Sequence, residues 1–416
     1  ASDEEIAASL VDCTLGDALS QAAGIWPDTE ALVYRHQPAL TGANWTYAEL
    51  DVVTTRLANA LLGLGFRPGE RIALWGPNHP EWVLLEYAIA RAGMVIVALN
   101  PLYRSAELQF ALNDSRAAGI FHAEAIGSTV PVNVIAEVRP EAPSLRHAFS
   151  FGMISRLIEE ADSSVPSIAV EPAATAMIQY TSGTTGSSKA VRLSHRALVT
   201  TGRNSYRSWG LEKDSRVCFG FPLFHVGGSG NSIPGACLNG ATALPLLIFK
   251  PDITLDILER ECCTAFIGVP TMLISMLDHP SFAERDLSAM RSIIVGGAPV
   301  SRDLLRRCQE GFGAEVINCY GQTETSGVTT ITHCDDTVEQ KTETSGRALE
   351  GVSVSIRDES GCAVPHGQAG ELHYRGQGGM RGYGSREDDD ALGEGWIASG
   401  DLARMDDDGY VTIVGR

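Results

Sequence analysis

A short loop rich in hydroxyl groups is the first place where the residue types of this sequence suggest chemistry. The stretch YTSGTTGSSKAVRLSH spans residues 180–195, with six Ser or Thr residues between Tyr180 and Lys189. Glycine adopts positive φ without a Cβ clash, so a loop with several glycines can turn its backbone N–H groups toward an anion. Small hydroxyls add donors, and Lys189 adds a compact positive charge. The composition of residues 181–189 therefore favours a phosphate-binding loop, with a flexible Ser/Gly linker as the alternative.

The position of the lysine excludes a Walker P-loop. That loop reads G-x-x-x-x-G-K-[ST], with the lysine directly after glycine and a hydroxyl residue next for magnesium. Here two serines separate Gly186 from Lys189, and Ala190 follows the lysine. The sequence therefore does not predict a P-loop NTPase.

The elements on either side of this loop predict a parallel sheet with helices on its faces. Thr46–Glu49 is a capping box, after which apolar residues recur at helical spacing until Gly65. Apolar runs at 71–75 and 94–99 predict buried strands, with a helix at about 80–92 between them. Strand, helix and strand at this spacing are typical of βαβ units.

Two later strands also run into turns of small residues. SIIV at 292–295 leads into Gly-Gly-Ala-Pro, after which Ser301 can cap a helix, and EVINCY at 315–320 leads into a glycine. Ligands of open α/β sheets bind in loops beyond the carboxyl ends of the strands. The candidate binding loops are therefore 181–189, 296–299 and 321–324.

From about residue 345 the sequence changes to short strands separated by turns. VSVSI at 352–356, GELHYRG at 370–376 and YVTIVG at 410–415 read as antiparallel strands. They predict a small antiparallel β-barrel. The acidic stretch at 385–395 between them is predicted to be a surface loop.

Composition limits the class of protein and its partners. The chain has 416 residues, of which 44% are hydrophobic and 20% charged, so two or three packed subdomains are expected. The net charge of −19 argues against binding to nucleic acid or anionic lipid. Nine cysteines without a CxxC pair, and without zinc-like spacing to the histidines, indicate reduced thiols in a cytoplasmic protein. No signal peptide is evident, and no apolar run reaches the ~20 residues of a membrane span.

Seven motifs in a fixed order carry a resemblance that covers nearly the whole chain. The motifs are YTSGTTGSSKAVRLSH (180–195), PLFHVGG (222–228), GGAPVS (296–301), YGQTE (320–324), GELHYRG (370–376), GWIASGD (395–401) and GYVTIVGR (409–416). Together they resemble the adenylate-forming (ANL) superfamily of acyl-CoA synthetases, peptide-synthetase adenylation domains and luciferases. Ser188 and Ala190 stand where the superfamily's phosphate loop usually has Pro and Gly. Likeness around NPLYRSAELQFALNDS at 100–115 favours the acyl-CoA synthetases over the peptide-synthetase domains.

The resemblance implies a fold and a domain organisation. Two α/β subdomains with mostly parallel sheets would pack in αβαβα layers beside the small β-barrel. Residues 17–70 and 201–335 would form one α/β subdomain, 71–200 the other with the phosphate loop, and 340–416 the barrel. In the family a C-terminal domain follows and carries a lysine that reaches the carboxylate and the α-phosphate. Because that lysine would lie beyond Arg416, we expect this chain to be the N-terminal domain, which binds ATP or acyl-AMP but adenylates poorly.

The resemblance also implies the residues of the nucleotide site. They are Thr181, Ser182, Gly183, Thr184, Thr185, Lys189, Gly297, Ala298, Pro299, Asn318, Cys319, Tyr320, Gly321, Gln322, Thr323, Asp401, Ile413 and Arg416. The hydroxyls and the lysine of the phosphate loop would hold the β- and γ-phosphates, and Tyr320 would stack on the adenine. Asp401 would accept the ribose hydroxyls, and a carboxylate suits a diol. Taken alone, Tyr320 would be a core residue and Asp401 a turn residue.

The predicted catalytic residues are His225, Thr323 and Glu324. By resemblance, His225 would lie beside the carboxylate under attack, Thr323 would contact the α-phosphate, and Glu324 would bind Mg²⁺, which prefers oxygen ligands. The implied acyl-substrate residues are His225, Val226, Gly227, Gly228 and Gly297. Taken alone, His225 would be a structural histidine and Glu324 an acid favoured by a helix N-terminus.

The resemblance implies an acyl-CoA synthetase, an acid–thiol ligase that uses ATP, Mg²⁺ and CoA. A carboxylic acid and ATP would give acyl-AMP and pyrophosphate, and a thioester with CoA would follow. Gly227, Gly228 and Gly230 either leave space for the acid or only permit close packing. A fatty or medium-chain acid is preferred, and a bulky polycyclic acid of specialised-metabolite biosynthesis is the first alternative. Two further alternatives stay open. Ser188 and Ala190 would be compatible with a relative that only converts acyl-AMP to acyl-CoA, and the chain could also be a nucleotide-binding protein without turnover.

Overall fold

Helices pack on three β-sheets in this chain. The computed structural model describes residues 1–38, 40, 42–164, 166, 168–182, 188–385 and 395–416. The helices are α1 Asp3–Ala8, α2 Leu15–Ile25, α3 Tyr47–Gly63, α4 Pro80–Arg91, α5 Ser105–Ser115, α6 Pro131–Val138, α7 Ile154–Glu160, α8 His195–Ser208, α9 Ile233–Asn239, α10 Pro251–Arg260, α11 Pro270–Leu277, α12 Arg302–Phe312 and α13 Val338–Glu343. The strands are β1 Glu30–Val33, β2 Asn44–Thr46, β3 Arg71–Trp75, β4 Val95–Leu99, β5 Gly119–His122, β6 His147–Ser150, β7 Thr175–Ser182, β8 Ser188–Ser194, β9 Arg216–Phe219, β10 Thr242–Pro245, β11 Ala265–Gly268, β12 Ser292–Gly296, β13 Glu315–Tyr320, β14 Thr330–Ile331, β15 Arg347–Ala348, β16 Val352–Arg357, β17 Gly370–Gly376, β18 Gly382–Tyr383, β19 Ile397–Met405 and β20 Val411–Gly415.

The first sheet has seven strands in the order β18-β8-β7-β4-β3-β5-β6. Strands β7, β4, β3, β5 and β6 run parallel, while β8 and β18 continue the sheet in antiparallel fashion. Every residue of β4 is buried, as expected for a strand covered by helices on both faces. The neighbouring strands β7 and β8 flank the predicted phosphate loop, because the chain enters it from β7 and leaves it into β8.

The second sheet has nine strands in the order β15-β14-β13-β12-β11-β9-β10-β1-β2. From β13 to β1 the neighbours are parallel, and the edge strands β14, β15 and β2 are antiparallel. The adjacent strands β12 and β13 end at Gly296 and Tyr320, so two of the predicted binding loops leave the same edge of the sheet side by side.

The third sheet is antiparallel, in the order β16-β17-β19-β20. It buries a small core of Ile356, Leu372, Ala403 and Val411. The described residues show no pairing of β16 with β20. The predicted fold class is confirmed, since mixed and mostly parallel sheets accompany an antiparallel sheet. The boundaries at 17–70, 71–200, 201–335 and 340–416 stay a prediction, and β18, from the last of these ranges, pairs with β8.

Several elements predicted from local signals occur where expected. Helix α3 has Thr46 as its N-cap with a complete capping box to Glu49, and Ser301 caps α12. The strands predicted at 71–75 and 370–376 have those bounds in the structure. The acidic stretch predicted to be a surface loop falls mostly on 386–394, outside the described residues.

All nine cysteines are free thiols, and five of them are buried. Across the described ranges, the structure contains no helix of the length and apolarity that a bilayer crossing requires.

Candidate functional site

A cavity of about 850 Å³ lies where all three sheets meet. The seven-stranded sheet contributes Thr181 and Lys189, and the nine-stranded sheet contributes the turns after β12 and β13. The antiparallel sheet contributes residues 398–401 together with Ile413 and Arg416. Thr181 and Lys189, at the two ends of the first loop selected from the sequence, therefore meet the other two loops at one cavity, as the placement of ligands at the carboxyl ends of strands requires.

Most residues predicted for the site line this cavity. They are Thr181, Lys189, His225, Val226, Gly227, Gly297, Ala298, Pro299, Asn318, Cys319, Tyr320, Gly321, Gln322, Thr323, Glu324, Asp401, Ile413 and Arg416. Gly228 does not line it. Gly183, Thr184 and Thr185 lie outside the described residues, as does the side chain of Ser182.

Asp401 is held at one side of the cavity by the last residue of β13 and by a residue of the turn that follows it. Its Oδ2 accepts from the Tyr320 hydroxyl at 2.6 Å and from Gln322 Nε2 at 2.8 Å. Gln322 Nε2 also lies 3.0 Å from the backbone oxygen of Ser399. The second carboxylate oxygen, Oδ1, is 3.5 Å from Arg416 Nε. Burial and the neighbouring Asp401 carboxylate raise the pKa of Tyr320, so its hydroxyl remains a donor.

A close backbone approach shapes the turn that carries these residues. Gly321 follows β13, and a Cβ placed on it would lie 2.0 Å from the carbonyl oxygen of Gly327. Real Cβ atoms do not approach a backbone oxygen so closely, so this position requires glycine. The contact folds the turn back on itself and presents Glu324 at the cavity wall.

His225, predicted to lie at the acyl end, lines the cavity and is held in one tautomer. Its Nδ1 accepts from the backbone N–H of Gly227 at 3.3 Å, so the ring proton of the neutral imidazole resides on Nε2. The ring is exposed where it faces the cavity, and desolvation by the protein around it lowers its pKa. A neutral imidazole with a free Nε2–H can donate a hydrogen bond to a carboxylate.

The glycines after His225 serve close packing. They lie in a π-helical segment, Val226–Ser232, that leads directly into α9. A Cβ at Gly228 would lie 2.4 Å from the backbone oxygen of Pro222, and one at Gly230 would lie 2.6 Å from Val226 Cγ2. Of the three glycines considered from the sequence as space for the acid, only Gly227 lines the cavity.

Several residues of the cavity were not selected from the sequence. They include Trp209, Phe221, Asn231, Ser232, Ile267 and Val328. Trp209 is 4% exposed and follows the last residue of α8. Beside Glu324 the missed residue is Tyr383, whose hydroxyl is 3.0 Å from Glu324 Oε1. Trp209, Ile267 and Tyr383 lie outside the seven motifs, so no local pattern marks them. The others stand within a few residues of PLFHVGG or YGQTE, and their closeness to those motifs was the signal that could have found them.

The residues around Glu324 fit a metal ion that binds together with the phosphates of a nucleotide. Within the described ranges, no group of three or more His, Cys, Asp and Glu side chains could hold a metal ion. Mg²⁺ typically binds through one or two carboxylates and completes its shell with substrate phosphates and water. Glu324 lines the same cavity as Lys189, and this suits that mode rather than a protein-only metal site.

Comparison with known proteins places this fold and cavity in a family. The model of the family described as AMP-binding enzyme matches residues 19–384. The chain belongs to this AMP-binding enzyme family. The assignment to the adenylate-forming acyl-CoA synthetases, and with it the ligase class, is confirmed at the level of the family.

Individual relatives of the chain are also CoA ligases or domains of them. The chain is 34% identical to the feruloyl-CoA synthase of an Amycolatopsis species, with 95% of this chain and 79% of the relative covered. It is 32% identical to the medium-chain fatty-acid–CoA ligase of Escherichia coli, with 97% of this chain and 72% of the relative covered. Among solved structures, the inhibitor-bound N-terminal domain of FACL13 from Mycobacterium tuberculosis superposes with a TM-score of 0.89 at 27% identity, covering 98% of this chain and 100% of that domain.

Proposed function

We propose that this protein is an AMP-forming acyl-CoA synthetase that activates a fatty or medium-chain acid. The observation that carries the proposal is the convergence of Thr181, Lys189 and the loops at 296–299 and 321–324 on one cavity. The substrates are the acid, ATP and CoA, and acyl-AMP is the intermediate. The free thiols of all nine cysteines support a cytoplasmic location, where thiols stay reduced.

The first half-reaction needs positioning and charge neutralisation rather than a protein nucleophile. An oxygen of the acid attacks the α-phosphorus of ATP, and the bond to pyrophosphate breaks as pyrophosphate leaves. His225 Nε2–H orients the carboxylate, Lys189 neutralises the departing phosphates, and Asp401 holds the ribose. In the second half-reaction the CoA sulfur attacks the acyl carbon, and AMP leaves with the electrons of the broken C–O bond.

We assign Mg²⁺ to Glu324 together with the phosphates of ATP. When bound, the ion would neutralise phosphate charge during the displacement. Glu324 supplies a hard oxygen ligand, and its backbone oxygen accepts from Met380 N at 2.8 Å, which ties the turn to the chain before β18. The carboxylate would therefore be held in place before the nucleotide arrives.

The acyl end of the cavity supports an acid of limited length. Its wall is largely apolar, through Phe221, Val226 and Ile267. Trp209 lines the same cavity and packs on Tyr206 with ring centroids 5.7 Å apart. A buried indole at this place would set the length of chain that the cavity accepts.

Trp209→Phe tests this limit because phenylalanine keeps an aromatic ring but removes part of the indole volume. We expect competitive thermal-shift binding of straight-chain acyl-AMP analogues to favour longer chains in the variant than in the parent protein. Core truncations of this kind lower stability, so each ligand-induced shift is measured against the ligand-free variant. An unchanged preference for chain length would show that Trp209 does not set the length limit. Equal thermal shifts for all acyl-AMP analogues in the parent protein would refute the proposed substrate class.

Two measurements on the full-length protein separate the remaining alternatives. Exchange of pyrophosphate into ATP in the presence of acid supports adenylation. Formation of a CoA ester from supplied acyl-AMP, without pyrophosphate exchange, would instead indicate a protein that performs only thioester formation. That alternative is considered because Ser188 and Ala190 stand where the phosphate loop of the superfamily usually has Pro and Gly. Tight AMP binding with neither activity would leave a nucleotide binder and refute the proposed synthetase.

A further inference from the structure

A tyrosine that none of the family motifs selected lies between two charged groups of the cavity. Tyr383 belongs to β18, which pairs with β8 in the register Tyr383↔Val191. Backbone bonds on either side fix this short strand, from Arg381 N to Arg192 O at 2.8 Å and from Gly384 N to Ala190 O at 2.9 Å. The tyrosine therefore has a defined place beside the end of β8 that carries the phosphate-loop lysine.

The Tyr383 side chain makes one contact through its hydroxyl and another through the face of its ring. Its hydroxyl lies 3.0 Å from Glu324 Oε1, and the Nζ of Lys189 lies 5.0 Å from the centroid of its ring. The first distance is that of a hydrogen bond, and the second is within the range of a cation–π contact. Burial is the main cause that raises the pKa of Tyr383, with the Glu324 carboxylate adding to it, so the phenol keeps its proton.

We propose that Tyr383 is a positioning residue that prepares Lys189 and Glu324 for a metal–nucleotide complex; the proposal rests on the synthetase function proposed above. A hydrogen bond to Oε1 fixes the carboxylate and leaves Oε2 for a metal ion, as outer-shell donors do in metal sites. The ring holds the lysine charge at the cavity wall, where phosphates would be.

The ring also keeps the two charges apart. Among the described side chains, the structure shows Tyr383 in contact with both groups rather than a direct ion pair between Lys189 and Glu324. A direct pair would neutralise both groups, and each would have to be separated again before it could bind phosphate or metal. With the tyrosine between them, the carboxylate remains available to a cation and the ammonium group to an anion.

Two substitutions separate the hydroxyl from the ring. Tyr383→Phe removes only the bond to Glu324, so the Mg²⁺ concentration for half-maximal ATP binding should rise about tenfold. At saturating Mg²⁺ its ATP affinity should equal that of the parent. Tyr383→Leu removes the ring as well, and its ATP affinity at saturating Mg²⁺ should fall a further two- to fivefold, about the value of an exposed cation–π contact. Isothermal titration with ATP across a Mg²⁺ series measures both effects without turnover.

Tyr410 offers a matched control outside the cavity. Its hydroxyl is 2.6 Å from Asp336 Oδ1, and the Arg347 guanidinium lies 5.1 Å from its ring centroid, so it makes the same two kinds of contact. Tyr410→Phe should leave the Mg²⁺ midpoint unchanged. An equal midpoint in Tyr383→Phe and the parent, or an equal shift in Tyr410→Phe, would overturn the proposal for Tyr383. Failure of the parent itself to bind ATP with Mg²⁺ would instead refute the proposed function.

Discussion

Replacing Asp401 by asparagine tests the ribose end of the site with little change in shape. One acceptor oxygen of the amide can still receive the bonds from Tyr320 and Gln322, which now reach Oδ2 at 2.6 and 2.8 Å. The other oxygen, near Arg416, would become an amide nitrogen, which donates and cannot accept. Asp401→Asn therefore removes the charge and the acceptor that we assign to the ribose hydroxyls, while the contacts within the protein persist.

The size of the effect follows from the kind of bond that is lost. A hydrogen bond to a charged group contributes about 1.5–3 kcal/mol, so AMP affinity should fall by about tenfold to about a hundredfold. Asp401 is 8% exposed, so screening by water is limited. Thermal stability without ligand should change little, because both donors inside the protein keep a partner.

Isothermal titration with AMP and with 2′-deoxy-AMP and 3′-deoxy-AMP provides the assay. The parent should discriminate against the deoxynucleotides, and Asp401→Asn should lose most of that discrimination, giving a coupling of about 1 kcal/mol or more. Asp336→Asn is the control, since Asp336 also accepts from a tyrosine hydroxyl, that of Tyr410, but lies outside the cavity. Full discrimination retained in Asp401→Asn would refute the ribose assignment.

Two further predictions concern the turn and the core. Gly321→Ala should lower the free energy of unfolding in urea by about 1–3 kcal/mol and abolish AMP binding, because its Cβ would meet the oxygen of Gly327. The control is Gly63→Ala, whose Cβ would meet nothing within 4 Å, so this substitution should be neutral or stabilising. Equal losses of stability in the two variants would refute the requirement for glycine at position 321. Burial lowers the pKa of His195 from 6.5 to about 4, so the unfolded state takes up the proton more readily. Stability should therefore be complete above pH 6.5 and fall by up to about 3 kcal/mol as the pH drops to about 4. His195→Asn, which keeps an acceptor for Leu15 N, should flatten this slope in urea titrations at several pH values; an unchanged slope would refute it.

Elements with local signals were predictable from the sequence, and elements defined by distant partners were not. The capping box at Thr46 and the apolar run at 71–75 determine a helix start and a buried strand with information from a few neighbouring residues. Strand β1 carries no such signal, because its parallel partner β10 lies more than two hundred residues further along the chain. Strand β18 is two residues long and exists only because β8 offers it an edge.

The candidate site shows the same division. Motifs identified the residues that would touch the nucleotide, such as Lys189, Glu324 and Asp401, because each lies in a short stretch of unusual composition. The glycines after His225 could not be interpreted from sequence alone, since only the approach of Gly228 to Pro222 in space shows that they permit packing.

The contacts that hold Glu324 and Asp401 cross from one sheet to another. Lys189 lies in the seven-stranded sheet, while Glu324 follows a strand of the nine-stranded sheet, and Tyr383 contacts both. Asp401 lies in the antiparallel sheet, but its carboxylate is fixed by Tyr320 at the end of β13. Because the contacts of Tyr383 with Glu324 and of Tyr320 with Asp401 each cross a boundary between sheets, a displacement of one sheet would release a carboxylate from its support. The geometry of the nucleotide site and the packing of the three sheets should therefore be coupled, and ligand binding should stabilise the packing as much as the packing stabilises the site.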